Sequence, residues 1–385
     1  MTSFLVFIIL VLIGIAVWQL TKIFDLTQIG GSSSNDEIAN DKDNSVNGYL
    51  MFAFVGFIYV FTIYSLYAWG DLVLGTPASE HGPDYDNLMY ISFAIIFFVQ
   101  TITQFLLHYF AFKYRGKEGQ KALYFADNNK LEAVWTIIPV IVLAGLIMYG
   151  LYTWNNIMFV DEEDKQDAII IELYAKQFGW EARYAGDDKT LGKANVRLIE
   201  GINTLGVDLA DPAAQDDKVV TELHLPVGKK VIFKMRSQDV LHSAYMPHFR
   251  AQMNCVPGMI TQFSFTPTVT TADMRADEAI MAKVNKINKI RTENSKKIVA
   301  EGGTALDPYT FDYLLLCNKI CGASHYNMQM KIVVDTPAEF KAWLAEKPTL
   351  AQQWKEANAP APVAAPTEAP VAAVDSTKVV AQVIK

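Results

Sequence analysis

A chain of 385 residues with 51% hydrophobic and only 19% charged side chains does not have the composition of two ordinary soluble domains, so part of it is expected to lie in lipid. The formal charge of −8 disfavours a dedicated nucleic-acid binder, which needs clustered Lys and Arg to displace counterions from phosphates. Three cysteines, Cys255, Cys317 and Cys321, are too few for a disulfide scaffold and leave the close pair for redox or metal chemistry.

Four apolar runs come first: Phe4 to Leu20, Tyr49 to Trp69, Leu88 to Phe112 and Ala133 to Trp154. Each is long enough for a helix that crosses the roughly 30 Å hydrocarbon layer or comes close to it. The first could also be a signal peptide, but its Met-Thr-Ser flank carries no positive charge, which favours a retained anchor with the N-terminus outside. The loop between the third and fourth runs holds Lys113, Arg115, Lys117, Lys121 and Lys130, whereas the loop before the third has Asp71, Glu80, Asp84 and Asp86 and no cation. Short cytoplasmic loops collect Lys and Arg, so the chain after Trp154 is expected on the outer face. The expected order is a helix and loop over 1–47, a second helix and outer loop over 48–87, and a helix hairpin over 88–160. His108 is expected to face protein or headgroups. Glu132 opens the fourth run, where an acid suits the helix dipole, and Pro139 is expected to loosen the same helix.

From about Asp167 the pattern changes to short β-rich runs: Ala168 to Tyr174, Val219 to Leu225, Lys230 to Met235 and Thr261 to Phe265. The fold class is therefore an α+β membrane protein, with transmembrane helices followed by a β-sandwich or barrel over 161–354. The polar stretch Ala185 to Ala214 reads as surface loops, and 272–301 reads as a basic helical insertion with Lys283, Lys286, Lys289, Arg291, Lys296 and Lys297. The Ala/Pro-rich segment 355–385 cannot build a core and is expected to be an extended tail; it has no C-x-x-C-H, so no c-type haem attaches there.

The sharpest chemical signal is Cys317-Asn-Lys-Ile-Cys321-Gly-Ala-Ser-His325-Tyr-Asn-Met328. Two thiols, an imidazole and a thioether are soft or borderline donors that together suit copper better than calcium, magnesium or manganese. Zinc would accept the Cys and His but gains little from the Met, and a Cys317–Cys321 disulfide is the alternative without a metal. A second imidazole stands upstream, His242 in Asp-Val-Leu-His242-Ser.

At these residues the sequence resembles subunit II of the haem-copper cytochrome c oxidases. The resemblance rests on Glu132-Ala-Val-Trp-Thr-Ile-Ile-Pro139, Asp239-Val-Leu-His242-Ser243, Met246-Pro247 followed by Val256-Pro-Gly-Met259, and the cysteine loop. It implies a cupredoxin-like sandwich holding a dinuclear CuA centre, with Cys317 and Cys321 bridging two coppers, His242 and His325 as terminal ligands, Met328 as a weak axial ligand and the Lys319 backbone carbonyl as the other. It also implies electron transfer from a c-type cytochrome to haem in catalytic subunit I, which carries haem and CuB, in a proton-pumping oxidase of a bacterial inner membrane with the copper domain periplasmic. Glu132 matches an acid near the entrance of a proton path.

The departures from the family pattern are specific. Lys319 stands where a Glu commonly reaches an interface magnesium, which leaves that contact without its carboxylate. Phe178 in Gln177-Phe178-Gly179-Trp180 replaces the Trp that takes up electrons, so Phe178 or Trp180 is expected to serve; Asn254 and Met259 replace an Asp and an Arg, weakening the case for docking a conventional basic cytochrome. Two membrane runs before Leu88, the insertion and the tail are additions to the family's plan. Three other readings are a quinol oxidase subunit without copper, which the retained ligand set opposes, a nitrous oxide reductase, for which the chain is too short, and a membrane-anchored copper carrier, which would need the ligands but no partner-matched helix hairpin.

Overall fold

The computed structural model describes residues 2–29, 40–70, 73 and 75–359, so the tail expected at its C-terminus lies outside the described residues from 360 on. The chain divides into two compact units, one of residues 1–77, 81–159 and 278–307, the other of 78–80, 160–277 and 308 onward.

The first unit is built from α1 (Thr2–Ile29), α2 (Asp41–Trp69), α3 (Gly82–Lys113) and α4 (Asn129–Met158). The first free amides of α2 and α4 are satisfied by side chains: Asn40 accepts from Asp43 N, and Asn128 from Lys130 N and Leu131 N. Helices α2, α3 and α4 are long and apolar enough to cross a membrane. In α1 the apolar stretch among described side chains is Phe7–Ile23, about 25 Å of helix and a little short of the hydrocarbon thickness. The Phe112 ring of α3 packs on Tyr49 and Phe52 of α2, with ring centroids 4.9 and 5.4 Å apart. This contact requires Gly48, because a Cβ there would lie 2.5 Å from the ring. His108 is buried, with Nδ1 2.7 Å from the Gln104 carbonyl. Helix α4 continues through Pro139, and Glu132 sits exposed in its first turn.

After a short helix α5 (Glu162–Asp167), the second unit is a sandwich of two five-stranded sheets. The strands are β1 (Ile169–Lys176), β2 (Gly179–Tyr184), β3 (Lys218–Val220), β4 (Leu223–Pro226), β5 (Val231–Ser237), β6 (His242–Met246), β7 (Ala251–Cys255), β8 (Thr261–Phe265), β9 (Tyr313–Cys317) and β10 (Gln329–Asp335). One sheet has the order β3-β2-β1-β5-β8, the other β4-β10-β9-β6-β7. The β1–β5 and β4–β10 pairs are parallel and all other pairs antiparallel. An aromatic column links the two sheets: Phe249 stacks 4.8 Å from Phe265 of β8 and lies 4.8 Å from Tyr313 of β9.

The apolar run Val219 to Leu225, which reads as one strand in the sequence, is divided between the sheets, with β3 pairing β2 and β4 pairing β10. The Tyr184 hydroxyl marks the crossing: it donates to the His224 carbonyl at 2.7 Å and accepts from its amide at 2.8 Å. The segment 185–214 is also more than surface loop. Its Leu205, Val207 and Ala214 are buried in one cluster with Tyr174 and Leu350, and Asn203 braces it by bonding both the amide and the carbonyl of Val207. Polar composition hid a few inward-facing apolar residues.

The expected helical insertion is two helices. The first, α6 (Thr271–Ala276), belongs to the sandwich, where the Thr271 hydroxyl accepts from Val334 N at 2.8 Å. Asp277 is extended, and α7 (Glu278–Ala300) then falls in the first unit. The chain after α7 folds back on it, with Arg291 donating to the Asp307 carbonyl and Ser295 accepting from Leu306 N. Helices α8 (Pro337–Glu346) and α9 (Leu350–Ala357), each opened by a capping box, close the described chain.

Candidate metal centre

Strand β9 ends at Cys317 and β10 begins at Gln329, so the eleven-residue connection carries the other cysteine, the second imidazole and the thioether. Its base is closed by Cys317 N donating to the Met328 carbonyl at 3.1 Å, and Asn318 N donates to the Ser243 carbonyl of β6 at 3.0 Å. The second bond fastens the connection beside His242, the first residue of β6.

The predicted donors converge. The Cys317 and Cys321 sulfurs lie 3.8 Å apart and both cysteines are free. His242 Nδ1 is 3.8 Å from Cys317 Sγ, His325 Nδ1 is 3.6 Å from Cys321 Sγ, and Met328 Sδ is 3.7 Å from Cys321 Sγ. The Lys319 carbonyl is 3.2 Å from Cys317 Sγ, while its side chain points to the exposed surface. Among the described residues, His242, Cys317 and Cys321 form the one group of three His, Cys or acidic donors close enough to share an ion.

The surroundings fix which atoms face inward. His242 Nε2 meets Asp239 Oδ1 at 2.9 Å, so its Nδ1 is the atom left toward the sulfurs. Burial acts to raise the Asp239 carboxyl, but hydrogen bonds from the His242 ring, Gln177 N and Val240 N hold it below the ordinary carboxylate range. Gln177 ties the β1–β2 turn to the site twice, its amide N donating to Asp239 Oδ2 at 2.8 Å and its side chain to the Cys321 carbonyl at 2.5 Å. Next to it, Phe178 lies over Gly322, whose φ is +140°; a Cβ there would stand 2.8 Å from the ring. Phe178 is half-exposed, and Trp180 is buried with its ring 6.2 Å from that of His242. Glu132 lies in the other unit, on α4.

Burial and the Cys317 thiol push the Cys321 thiol up to about 11, so it stays protonated at neutral pH unless a cation claims it. A soft metal bound here would therefore release protons. Two sulfurs within reach of each other, two imidazoles presented by Nδ1 and a thioether fit copper, whereas among the described residues no carboxylate joins the His242, Cys317 and Cys321 group to suit a hard cation. Cys255, paired with His242 across β6 and β7, is fully buried, which pushes its thiol up to about 12 and suits a packing role. The local spacing of the cysteine loop exposes most of this set in the sequence. Gln177, Gly322 and the turned-away Nε2 of His242 are set by contacts distant in sequence or by backbone geometry and leave no periodic signal.

Two sequence profiles match the chain, one described as cytochrome C oxidase subunit II, transmembrane domain, over residues 76–153, and one described as cytochrome C oxidase subunit II, periplasmic domain, over residues 170–272. The second match ends before α7, so the cysteine loop lies beyond it. The chain is 34% identical over 278 residues to the alternative cytochrome c oxidase subunit 2 of Bradyrhizobium diazoefficiens, an alignment that covers 72% of this chain and 84% of that protein. It is 25% identical over 304 residues to the cytochrome c oxidase subunit 2 of Thermostichus vulcanus, covering 72% of this chain and 80% of the relative. A crystal structure of the periplasmic domain of subunit II of cytochrome oxidase of Bradyrhizobium japonicum aligns at 16% identity with a TM-score of 0.26, covering 46% of this chain and 91% of that one.

Proposed function

Because this chain belongs to the cytochrome c oxidase subunit II family, as a membrane-anchored subunit of a terminal oxidase whose oxygen chemistry lies in a partner subunit, we propose that it is the electron-accepting subunit and holds a dinuclear copper centre. The observation that carries this reading is the convergence of the sulfurs of Cys317, Cys321 and Met328 with Nδ1 of His242 and His325 at one end of the sandwich. Cys317 and Cys321 as thiolates, His242 and His325 through Nδ1, the Met328 thioether and the Lys319 carbonyl would together hold the copper ions. Such a group supplies one-electron exchange with little change of shape.

The chain's own residues provide the rigidity this needs. Asp239 keeps the His242 ring in one orientation, Asn318 and Gln177 hold the loop to β6 and to the β1–β2 turn, and burial of His242 and Cys321 keeps water off the donors. Phe178, touching Gly322 beside Cys321, is the surface group through which an electron from a c-type cytochrome would arrive, and Trp180 packs beneath His242. Glu132 would stand near a proton entrance of the partner subunit, which holds haem and a further copper. The setting is a bacterial inner membrane with the sandwich in the periplasm.

The test is copper loading of the full-length chain in detergent, read by metal content and electron paramagnetic resonance. Two coppers per chain and an unpaired electron shared over two nuclei are expected, both lost in Cys317→Ser and Cys321→Ser. A mononuclear copper or a zinc-only site would sink the proposal.

A further inference from the structure

Six large apolar side chains, Phe178, Val240, Met259, Ile260, Ile320 and Tyr326, stand exposed on the four loops around the metal centre. These are the β1–β2, β5–β6, β7–β8 and β9–β10 connections, held at one end of the sandwich by the Gln177 bonds to Asp239 and Cys321, the Ser237–Pro257 bridge and the Asn318 bond to Ser243. Ile320 is 86% and Tyr326 88% exposed, so both present nearly their whole side chains to solvent.

Charge is almost missing from the same surface. Over residues 177–178, 238–241, 256–260 and 318–328 the acids and Lys or Arg residues are Asp239 and Lys319 alone. Asp239 is exposed but bonded by His242, Gln177 and Val240, so with Lys319 these loops carry one anion and one cation and no net charge. The chain as a whole carries −8, so its acidity is placed elsewhere. A soluble surface seldom gathers large apolar side chains around one point unless something docks there, and the point they surround is the site through which electrons are proposed to pass.

Resting on the function proposed above, we infer that the donor docks on this end by apolar contact and not by charge. Its partner is a small c-type cytochrome whose exposed haem edge is framed by uncharged side chains. Ile320 and Tyr326 act as the anchors, since a protruding aliphatic group and an aromatic ring lose the most water on contact. With Asp239 the one acid on these four loops, they offer a basic partner little electrostatic steering, so salt has little to screen.

The experiment uses the purified oxidase complex and two probes: a monohaem c-type cytochrome ringed by lysines, and the same cytochrome with those lysines acetylated. Spectra of the copper centre are recorded first, so loss of the centre itself tells against the function above and is separable from a docking result. With the centre intact, the acetylated probe is expected to be oxidised at least as fast as the parent, and its rate to change less than about twofold between about 20 and 300 mM salt. Ile320→Glu and Tyr326→Glu are expected to lower kcat/KM for this probe about tenfold with an unchanged copper spectrum, as for loss of an interface anchor. Tyr326→Phe, which keeps the ring, restores most of that loss. An acetylated probe that is inert while the parent slows tenfold with salt would overturn the inference. So would unaltered kinetics in both Glu variants, or a subunit shed from the complex in either, which would assign this face to subunit packing.

Discussion

Two clusters of buried polar side chains in the sandwich are built on opposite terms. In the first sheet, Arg183 places Nε 2.7 Å from Glu172 and Nη1 2.7 Å from Asp217, and also donates to the Gly192 carbonyl, while Glu172 accepts from Arg236 as well. Cation and anion are buried together, each bonded to the other. In the second sheet, thiols, imidazoles and a thioether meet at 3.6 to 3.8 Å, and among the described residues they bond to one another and to backbone or carboxylate oxygen. The first cluster pairs its charges within the chain and leaves only Asp217 Oδ1 among its carboxylate oxygens without a partner; the second is held in place by its loop bonds and leaves its lone pairs toward one another. A buried charge must bring its partner from within the chain, whereas soft neutral donors can be stored without one.

The largest effect that would sharpen this contrast is expected from Arg183→Met. Glu172 and Asp217 would keep their burial and lose their shared cation, lowering stability by about 3–5 kcal/mol in denaturant unfolding of the detergent-solubilised chain. Loss under 1 kcal/mol would show that Arg183 is not what balances the buried charges of Glu172 and Asp217. At the metal end, Gly322→Ala forces a Cβ against Phe178 at a φ that side chains rarely adopt. About 1–3 kcal/mol of destabilisation is expected, together with an altered copper spectrum, because the strain falls on the loop beside Cys321. An unaltered spectrum would separate the Phe178 contact from the donor geometry.

The smallest effect concerns pH. Burial, acting against the pull of Arg183, pushes the Asp217 carboxyl up to about 6, above the roughly 3.9 of an unfolded chain. The folded state therefore holds this proton more tightly, and the stability it gives is full below about pH 4 and lost as pH rises through about 6. Thermal unfolding of the wild type should consequently fall relative to Asp217→Asn between about pH 4 and 7, and a constant difference would show that Arg183 offsets the burial completely.

The contrast also explains what the sequence made legible. Membrane helices follow from long apolar runs, and four of the side-chain donors sit within twelve residues, so their shared loop could be read directly. His242 entered through its motif, since nothing in periodicity links it to Cys317. The charged cluster went unread because Glu172, Arg183 and Asp217 lie on separate strands and loops, where each resembles an ordinary surface charge. The division of 219–225 between two sheets was hidden for a related reason: alternation reports which residues are buried, and both sheets bury theirs against the same interior.

One consequence reaches back to the separation of the donors. His242 and Cys317 lie 75 residues apart, and the whole of α7 and the irregular segment that returns from it falls between them. An ion that engages both is a cross-link across that span, restricting the unfolded chain by on the order of 4 kcal/mol in the loop-entropy picture. Such restriction grows only with the logarithm of loop length, about 0.6 kcal/mol per doubling. The chain could thus carry a long excursion in mid-domain without weakening the tie at its base, and a bound ion would be the knot that holds so large an insertion closed.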